Sequence, residues 1–532
     1  MTEPMPASEE NVAFIDIGTN SIRLLVVRLN QNGSMSVLTE QKEVARLGEG
    51  CFAREELSEE AIGRGVTICK LFVDLGLAYG VSEFVAVATS ATREAKNADQ
   101  FLEMLLREAN LDVRVVSGKE EARLIYRGVV SGIDIGTHRA IFIDIGGGST
   151  EVIIGSQHDY LTLESLKLGS IRMTNQFFRP GEDGPVSLKK YARMQQFVRN
   201  VIAQPLTRIR KTPYSRAFGS SGTIQNLAEI ASRLYPATST PTLLRYDDLR
   251  HTIERLCSLS LEERREVPGI NPERADIIIG GGVILESVME ELGITEIEIS
   301  PHGLREGLLM EYLSRIPGFP HAEKISSRKR SVVQLGRSCR IDEAHALTIV
   351  GLSASLYDSA RDAGLHSYGD SERTLLLYAA YLHDTGNFIS FSNHHLHSAY
   401  IIRNADLVGF DEHEIGVMAE IARYHRKKAP RKKDHHFSLH DPVVQDQIRT
   451  LSLFLRLAEH LDRTHSGRIR DARLSRDKNG QIILDLEARG DCMLEVWGVR
   501  SEGHMIRKVF GAGLEVTVSE GVGDPLRGEL PD

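Results

Sequence analysis

The sequence has few cysteines, a single tryptophan and no long apolar run. Its five cysteines among 532 residues lie far apart without a CxxC pair, which argues against a disulfide framework or a zinc ribbon and favours a reducing cytoplasm. No stretch reaches ~18 uncharged apolar residues and the first residues lack the features of an export signal, so neither a membrane span nor secretion is expected. The net charge of −9 excludes general adhesion to nucleic acid, so a polyanion would need a local basic patch.

The length predicts several structural units, because a chain of this size exceeds one ordinary core. Strands alternate with helices in the first half, which is typical of the α/β class, and a repeated phrase predicts two similar subdomains at 1–136 and 137–315. Prolines and a basic run then mark a linker into a helical domain at 316–468. Residues 469–532 read as a small β or α+β domain with a hairpin turn at Asn479-Gly480.

The repeated phrase is the most informative feature of the chain. It occurs as FIDIGTNSIRLLVV at Phe14–Val27 and as FIDIGGGSTEVIIG at Phe142–Gly155. Each copy predicts a strand that ends on an Asp, a turn of small residues and a second strand. Because glycine turns let backbone N–H groups approach an anion, we expect the two copies to form a clamp for a phosphate chain.

The strand register in the second copy predicts a metal site. A two-residue loop at Gly147-Gly148 would place Asp144 opposite Glu151, and like charges at that spacing are destabilising without a cation or a shared proton. Hard oxygen ligands beside phosphate favour Mg²⁺. In the first copy Asp16 would face Arg23, a pair that compensates itself, so we expect the metal on the second copy.

The segment VSGKEEARLIYRGVV predicts a helix with a buried carboxylate. Ser117 and Glu120 have capping-box spacing, and Glu121 falls on the inward apolar stripe. Desolvation would raise the proton affinity of Glu121, as a general base for water requires. The alternative is a partly buried glutamate in a salt bridge.

Three further segments carry weaker signals for phosphate binding. Arg93 follows a strand in ATSATREA, where it could grip phosphate oxygens or be a plain surface residue. The glycine-rich runs at Gly219–Thr223 and Gly280–Gly282 both read as turns that follow an apolar strand and enter a helix. Their placement at strand ends predicts that they gather at one cleft.

The two repeated hairpins and four further motifs, ATSATREA, SGKEEARLIYRGV, GSSGT and GLREGLL, resemble in their order the exopolyphosphatase and guanosine pentaphosphate phosphohydrolase family. This family is a branch of the sugar kinase, actin and heat-shock ATPase superfamily, and the resemblance covers about residues 12 to 315. It implies duplicated actin-like (ribonuclease H-like) ATPase domains. It also implies processive hydrolysis of the terminal phosphoanhydride of inorganic polyphosphate, or of guanosine pentaphosphate to the tetraphosphate, by a cytoplasmic homodimer without membrane or specific nucleic-acid partners.

The resemblance also implies roles for individual residues. Glu121 resembles the catalytic base, Arg93 the phosphate-gripping arginine, and Asp144 with Glu151 the acidic residues associated with Mg²⁺. The implied phosphate-binding residues are Gly18, Thr19, Asn20, Ser21, Gly146, Gly147, Gly148, Ser149, Gly219, Ser220, Ser221, Gly222 and Thr223.

The helical domain carries a second constellation of residues that could bind metal. His345, His383-Asp384 and Asp462 stand in the order found in the HD phosphohydrolase superfamily, which they resemble and in which these positions bind a divalent metal. Imidazole with carboxylate suits a transition metal or Mg²⁺. The alternatives are an independent catalytic centre and a retained structural scaffold. Nearby histidines are assigned to packing, loops or anion contacts; they are His394, His395, His397 and His425.

The run RYHRKKAPRKKDHH at Arg423–His436 is basic within an acidic chain. It predicts a groove for a long polyanion, since several phosphate contacts give tight and salt-sensitive binding, while the alternative is a solvated loop. The candidate contacts are Lys427, Lys428, Lys432 and Lys433.

Two functions of other classes stay open alongside hydrolysis. A kinase of the same superfamily would need an Asp set against a substrate hydroxyl, for which the sequence shows no motif. A non-enzymatic sensor of guanosine tetraphosphate or polyphosphate would bind its ligand and release no phosphate.

Overall fold

The computed structural model describes residues 9–179, 181–316, 319, 325–405, 407–431, 433–521 and 527–532. The chain divides into two compact units, Met1–Ser327 and Arg328–Asp532. The first unit is α/β, whereas the second is mainly helical with a small sheet. No helix in the described residues is long and apolar enough to cross a membrane.

Two sheets with the same plan form the N-terminal unit. The first has the order β3-β2-β1-β4-β5 and the second the order β10-β11-β9-β6-β7-β8. In each sheet an antiparallel hairpin, β1-β2 or β6-β7, lies beside a parallel strand, β4 or β9, which confirms the predicted duplication. The strands are β1 (Glu10–Ile17), β2 (Ser21–Leu29), β3 (Met35–Val44), β4 (Glu83–Ala88), β5 (Val113–Val115), β6 (Ala140–Ile145), β7 (Thr150–Gly155), β8 (Tyr160–Leu166), β9 (Arg216–Ser220), β10 (Leu243–Arg245) and β11 (Glu296–Ile299).

Helices cover these sheets, and α5 and α12 share one core with strands of both, including Phe14 and Phe142. The two helices cross so closely that a Cβ on Gly128 would lie 1.9 Å from the Gly303 carbonyl oxygen. The helices are α1 (Cys51–Arg54), α2 (Glu59–Ala78), α3 (Ser90–Glu94), α4 (Ala98–Ala109), α5 (Gly118–Ser131), α6 (Ser170–Phe177), α7 (Leu188–Ile209), α8 (Ser221–Leu234), α9 (Tyr246–Ser258), α10 (Leu261–Arg265), α11 (Ile278–Leu292) and α12 (Leu304–Leu313), with a 3-10 turn at Pro272–Arg274.

One predicted turn is wrong. Gly280–Gly282 lies inside the buried helix α11 and does not connect a strand to a helix. The glycines are needed there for close packing, since a Cβ on Gly281 would lie 2.2 Å from Cγ2 of Thr223 and one on Gly280 would lie 2.7 Å from the Ser170 carbonyl oxygen. By contrast, Gly219–Thr223 does run from a strand, β9, into a helix, α8.

The C-terminal unit packs helices around an apolar core, and its last part is an α+β region, as predicted. β12 and β13 form the predicted hairpin, with Gly480 at φ +81° in the turn, and β14 runs parallel to β13. The elements are α13 (Ser327–Ser338), α14 (Glu343–Asp362), α15 (Asp370–Leu382), a 3-10 turn (Thr385–Phe388), α16 (His394–Asn404), α17 (Glu412–Arg423), α18 (His435–Ser438), α19 (Pro442–Leu461), β12 (Ile469–Arg476), β13 (Ile482–Ala488), α20 (Met493–Ser501), α21 (Gly503–Phe510) and β14 (Leu514–Glu520).

Candidate active site

The turns of the two repeated hairpins touch each other. They close in the same way, because the Gly18 N–H donates to the Ser21 carbonyl at 3.1 Å and the Gly146 N–H donates to the Ser149 carbonyl at 3.0 Å. A Cβ on Gly147 would lie 3.0 Å from Cβ of Thr19. The structure therefore brings the two phosphate-loop candidates to one place.

A cavity lies where the two turns meet. Residues named from the sequence that line it are Gly18, Thr19, Asn20, Ser21, Glu121, Asp144, Gly146, Gly147, Gly148, Ser149, Ser221, Gly222 and Thr223. Residues without a predicted binding role that also line it include Asp16, Arg23, Thr89, Gln225, Arg274 and His302. Three of the remaining candidates of this unit adjoin the lining residues: Arg93 bonds Glu121, Ser220 bonds Asp144, and Glu151 pairs with Asp144 across the hairpin. Gly219 lies one position further away and pairs with Ile143.

Four buried carboxylates converge beside this cavity. Asp16, Glu121, Asp144 and Glu151 are each at most 8% exposed, and Asp144 faces Glu151 in the predicted register. Burial raises the pKa of Asp16 to about 6 and that of Glu121 to about 7. It also raises the pKa of Asp144, and the pKa of Glu151 rises well above its ordinary value because Glu121 and Asp144 add repulsion to burial. Such a cluster requires protons or a cation.

Helix α5 explains why Glu121 is part of this cluster. The Ser117 hydroxyl accepts the Glu120 N–H at 3.2 Å and so starts the helix, which turns Glu121 inward as predicted. The reciprocal half of the capping box is absent among the described contacts, because the Glu120 carboxylate pairs with Arg114 instead. Arg93 donates to Glu121 at 2.8 Å and to the Val116 carbonyl, so Glu121 is buried and also takes part in a salt bridge, which was the alternative interpretation. Its role as a general base stays a prediction.

The predicted pairing of Asp16 with Arg23 is confirmed, but it does not offset the burial of Asp16. The two residues are cross-strand partners, and Arg23 lowers the pKa of Asp16, but burial outweighs that effect. Within the described residues, Oδ1 of Asp16 is buried without a hydrogen-bond partner. Asp16 therefore belongs to the carboxylate cluster together with the residues of the second copy.

Two arginines give the cavity a basic wall. Arg23 and Arg274 both line it, and among the described residues no protein hydrogen bond engages the guanidinium of Arg274, which is 7% exposed. Burial and the nearby positive charge of Arg23 lower the pKa of Arg274 to about 10, although nearby acids act in the opposite direction. Gly222 leaves room for this side chain, since a Cβ there would lie 2.5 Å from Nη2. The sequence analysis did not name Arg274, because its contact with Gly222 joins distant parts of the chain and no periodic pattern in the sequence reports such a contact.

Glycine turns, buried acids and two arginines are groups that suit a phosphate-bearing anion and a cation. The profile of the Ppx/GppA phosphatase family matches residues 25–316, and the profile of domain III of that family matches residues 327–495. The chain belongs to the Ppx/GppA phosphatase family.

Solved structures agree with this assignment. An exopolyphosphatase from Cytophaga hutchinsonii is 27% identical with a TM-score of 0.54, and the match covers 58% of this chain and 100% of that one. An exopolyphosphatase-like protein is 26% identical with a TM-score of 0.52, covering 57% and 98%.

These matches confirm the predicted family and the duplicated actin-like fold of the Ppx/GppA core. They extend over little more than half of this chain. The domain III match adds the helical unit, whose relation to HD proteins remains a prediction.

The structure gathers the metal candidates of domain III in one region. His345 and His383 lie near Glu459, a residue that the sequence analysis did not name, and Asp384 lies near His394 and His425, which had been assigned to other roles. Asp462 reaches the cluster through its contact with Nδ1 of His345, at 2.8 Å.

The candidate polyanion lysines have exposed positions where the structure describes them. Lys427, Lys428 and Lys433 are exposed, and Lys427 also bonds the Asn393 side chain. Lys432 lies outside the described residues. Their role in polyanion binding remains a prediction.

Proposed function

We propose that the protein is an exopolyphosphatase that hydrolyses the terminal phosphoanhydride of inorganic polyphosphate processively and also converts guanosine pentaphosphate to the tetraphosphate. The observation that carries this proposal is the carboxylate cluster between two glycine turns. The turns supply anion-binding N–H groups, and the cluster supplies ligands for a cation and a base for water. Family membership supports the reaction type.

The donor set of the cluster fits Mg²⁺. Asp144 and Glu151 would hold the ion, and the buried, unpartnered Oδ1 of Asp16 offers a third hard oxygen. When bound, Mg²⁺ would neutralise charge on the phosphate oxygens. The like charges of the acids, which burial makes costly, support the need for such an ion.

The side chains of this chain then account for the reaction. Glu121 accepts a proton from water as the water oxygen bonds to the terminal phosphorus, and the bond from that phosphorus to the bridging oxygen breaks. Arg93 holds the Glu121 carboxylate in place. Arg23 and Arg274 offset the charge of the phosphate chain from the cavity wall.

The sensor and kinase alternatives use the same cavity. What favours hydrolysis is the buried Glu121, whose pKa of about 7 lets it take up and release a proton near neutral pH. A pure binding protein needs no such group.

We infer further that the protein works as a cytoplasmic homodimer with a divalent metal in domain III and with the Arg423–His436 run contacting long polyphosphate. Five free, buried cysteines support a reducing compartment. The grouped histidines support the metal, and the exposed lysines support the polyanion contact. Dimer formation is implied only by resemblance to long family members.

Orthophosphate release from polyphosphate and from guanosine pentaphosphate, measured with Mg²⁺, tests the proposal. We expect release from both substrates by the natural protein. Transfer of phosphate only to an added acceptor would identify a kinase. Tight binding without release at saturating Mg²⁺ would identify a sensor.

A further inference from the structure

Helix α6 packs directly against the second glycine turn. A Cβ on Gly169, the residue before the helix, would lie 2.4 Å from the carbonyl oxygen of Gly147. The Ser170 N–H donates to the Gly146 carbonyl at 3.0 Å. The Ile171 N–H donates to the Gly147 carbonyl at 2.9 Å. The start of the helix therefore holds two successive carbonyls of the turn.

The next carbonyl of the turn is held by a side chain. Nε of Arg172 donates to the Gly148 carbonyl at 2.7 Å. In the first copy the corresponding carbonyl, that of Asn20, accepts the backbone N–H groups of Ala45 and Arg46 instead. Arg172 thus does for the second turn what the main chain does for the first, so a substitution can remove this contact selectively.

These contacts determine where the N–H groups of the turn point. A trans peptide bond is planar, so each N–H points opposite to the carbonyl of the preceding residue. Because the three carbonyls are directed at α6, the N–H groups of Gly147, Gly148 and Ser149 point away from it. Within the described residues, no hydrogen bond takes up these three N–H groups. All three residues line the cavity, so their N–H groups are available to an anion there.

The guanidinium of Arg172 also contacts the first half of the duplicated unit. Its Nη2 donates to the Glu94 carboxylate at 2.6 Å, and its Cζ lies 3.8 Å from the centre of the Phe52 ring. Glu94 is the last residue of α3, which also carries Arg93, the partner of Glu121. The side chain of Arg172 is 13% exposed, so water weakens these contacts little. One side chain therefore joins the second turn to the helix that orients the proposed base.

We propose that Arg172 is a positioning residue for the hydrolysis of the phosphoanhydride. It fixes the second glycine turn so that the N–H groups of the turn face the terminal phosphate, and it ties this turn to the helix that carries Arg93. The inference rests on the proposed function. Among the described residues that line the cavity none belongs to α6, so Arg172 acts through the turn and not on the phosphate. Arginine suits this role because its planar fork presents several donors in a fixed geometry, which lysine does not.

Steady-state kinetics of phosphate release by Arg172→Ala and Arg172→Lys, with Tm measured in parallel, test the proposal. We expect kcat to fall by about 10- to 100-fold in both variants, because a displacement near 1 Å at a reacting centre lowers the rate by about 100-fold. KM should stay within about three-fold, since Arg23 and Arg274 still offset the charge of the phosphate chain. Lysine keeps the positive charge, so Arg172→Lys tests the proposal even where Arg172→Ala fails to fold.

Chemical rescue separates positioning from general support of the fold. Guanidinium ion at a non-denaturing concentration can enter the space left in Arg172→Ala and donate to Gly148 and Glu94. We expect it to raise the kcat of this variant saturably toward the natural value, whereas sodium chloride at the same ionic strength should not. Arg208→Ala is the matched control, because it removes an exposed arginine of the same unit that also pairs with a glutamate, Glu164. Its kcat should be natural and unchanged by guanidinium.

The natural protein distinguishes failure of this inference from failure of the proposed function. Natural kcat in Arg172→Lys, or a loss of kcat in Arg172→Ala that guanidinium does not reduce, would overturn the role of Arg172 while the natural protein still releases phosphate. Absence of phosphate release by the natural protein would refute the proposed function, and this inference with it.

Discussion

At the scale of single residues, the proposed chemistry depends on the pKa of Glu121, which burial raises by more than a nearby positive charge lowers it. Glu121 is bonded to Arg93, which lowers its pKa, yet desolvation raises that pKa to about 7. This position could be predicted from the sequence, because the apolar residues that follow Glu121 at helical spacing define an inward face. The place of Arg274 in the cavity could not be predicted, because only the folded chain brings this residue beside Gly222.

The opposing effects on Glu121 predict a pH dependence. A base works when ionised, so kcat/KM should fall as the pH drops through its pKa. The Arg93→Ala variant loses the positive charge that lowers the pKa of Glu121, so this pKa rises further. We therefore expect the acidic limb of the profile to move to higher pH. A profile of kcat/KM against pH at saturating Mg²⁺ measures this shift.

Arg114→Ala is the matched control, because Arg114 pairs with the neighbouring Glu120 on the partly exposed face of the helix. Its acidic limb should stay in place. An unmoved limb in Arg93→Ala, or a shift to lower pH, would argue against Glu121 as the titrating base.

At the scale of elements, the hairpins were the most predictable part of the fold. Their side chains alternate with a period of two, so the turn length alone fixes that Asp144 faces Glu151. Gly280–Gly282 shows where such reasoning fails. A glycine run usually marks a turn, but here tertiary packing against Thr223 and Ser170 requires small residues inside a helix.

Contact between the two turns predicts that Gly148→Ala impairs activity. The added Cβ would lie 2.4 Å from Phe52, 2.6 Å from the Ser90 hydroxyl and 3.0 Å from that of Thr19, so these side chains or the Gly148 turn itself must shift. A displacement near 1 Å at a catalytic site lowers activity by about 100-fold, and overpacking costs about 1–3 kcal/mol of stability. Steady-state kinetics and thermal unfolding measure the two effects.

Gly63→Ala is the control for this change. Gly63 lies in α2, and nothing is within 4 Å of its would-be Cβ. Alanine there should leave kcat/KM unchanged and stabilise the helix by up to about 1 kcal/mol. Equal kinetics for both variants would mean that the spacing of the turns does not matter.

At the scale of the whole molecule, the chain combines an acidic overall charge with a local basic run. The duplicated α/β unit and the helical unit with its small sheet were predictable, because strand-like runs give way to helical periodicity and then return. The convergence of histidines from several helices was not, since no spacing in the sequence reports how those helices pack. His394 and His425 could be assigned to the cluster only from the fold.

Neutralising the basic run should affect long polymers most. We expect Lys427→Gln, Lys428→Gln, Lys432→Gln and Lys433→Gln together to raise the KM for long polyphosphate by about ten-fold, because a chain that contacts several cations loses counterion-release energy. The KM for guanosine pentaphosphate should change little. A matched set that neutralises Arg476, Lys478, Arg507 and Lys508, exposed basic residues of the same unit, should affect neither substrate. Equal losses for both substrates would contradict a polyanion groove.

The claim on which the account depends is that Glu121 acts in the chemical step and not in binding. The most direct test is a single-turnover measurement of phosphate release by Glu121→Gln, paired with its Kd for Mg²⁺-polyphosphate and with Glu120→Gln as the control. We predict a rate lower by about 100- to 10,000-fold with a Kd within about three-fold of the natural value, and a control that behaves like the natural protein. A natural single-turnover rate in Glu121→Gln would contradict the assignment.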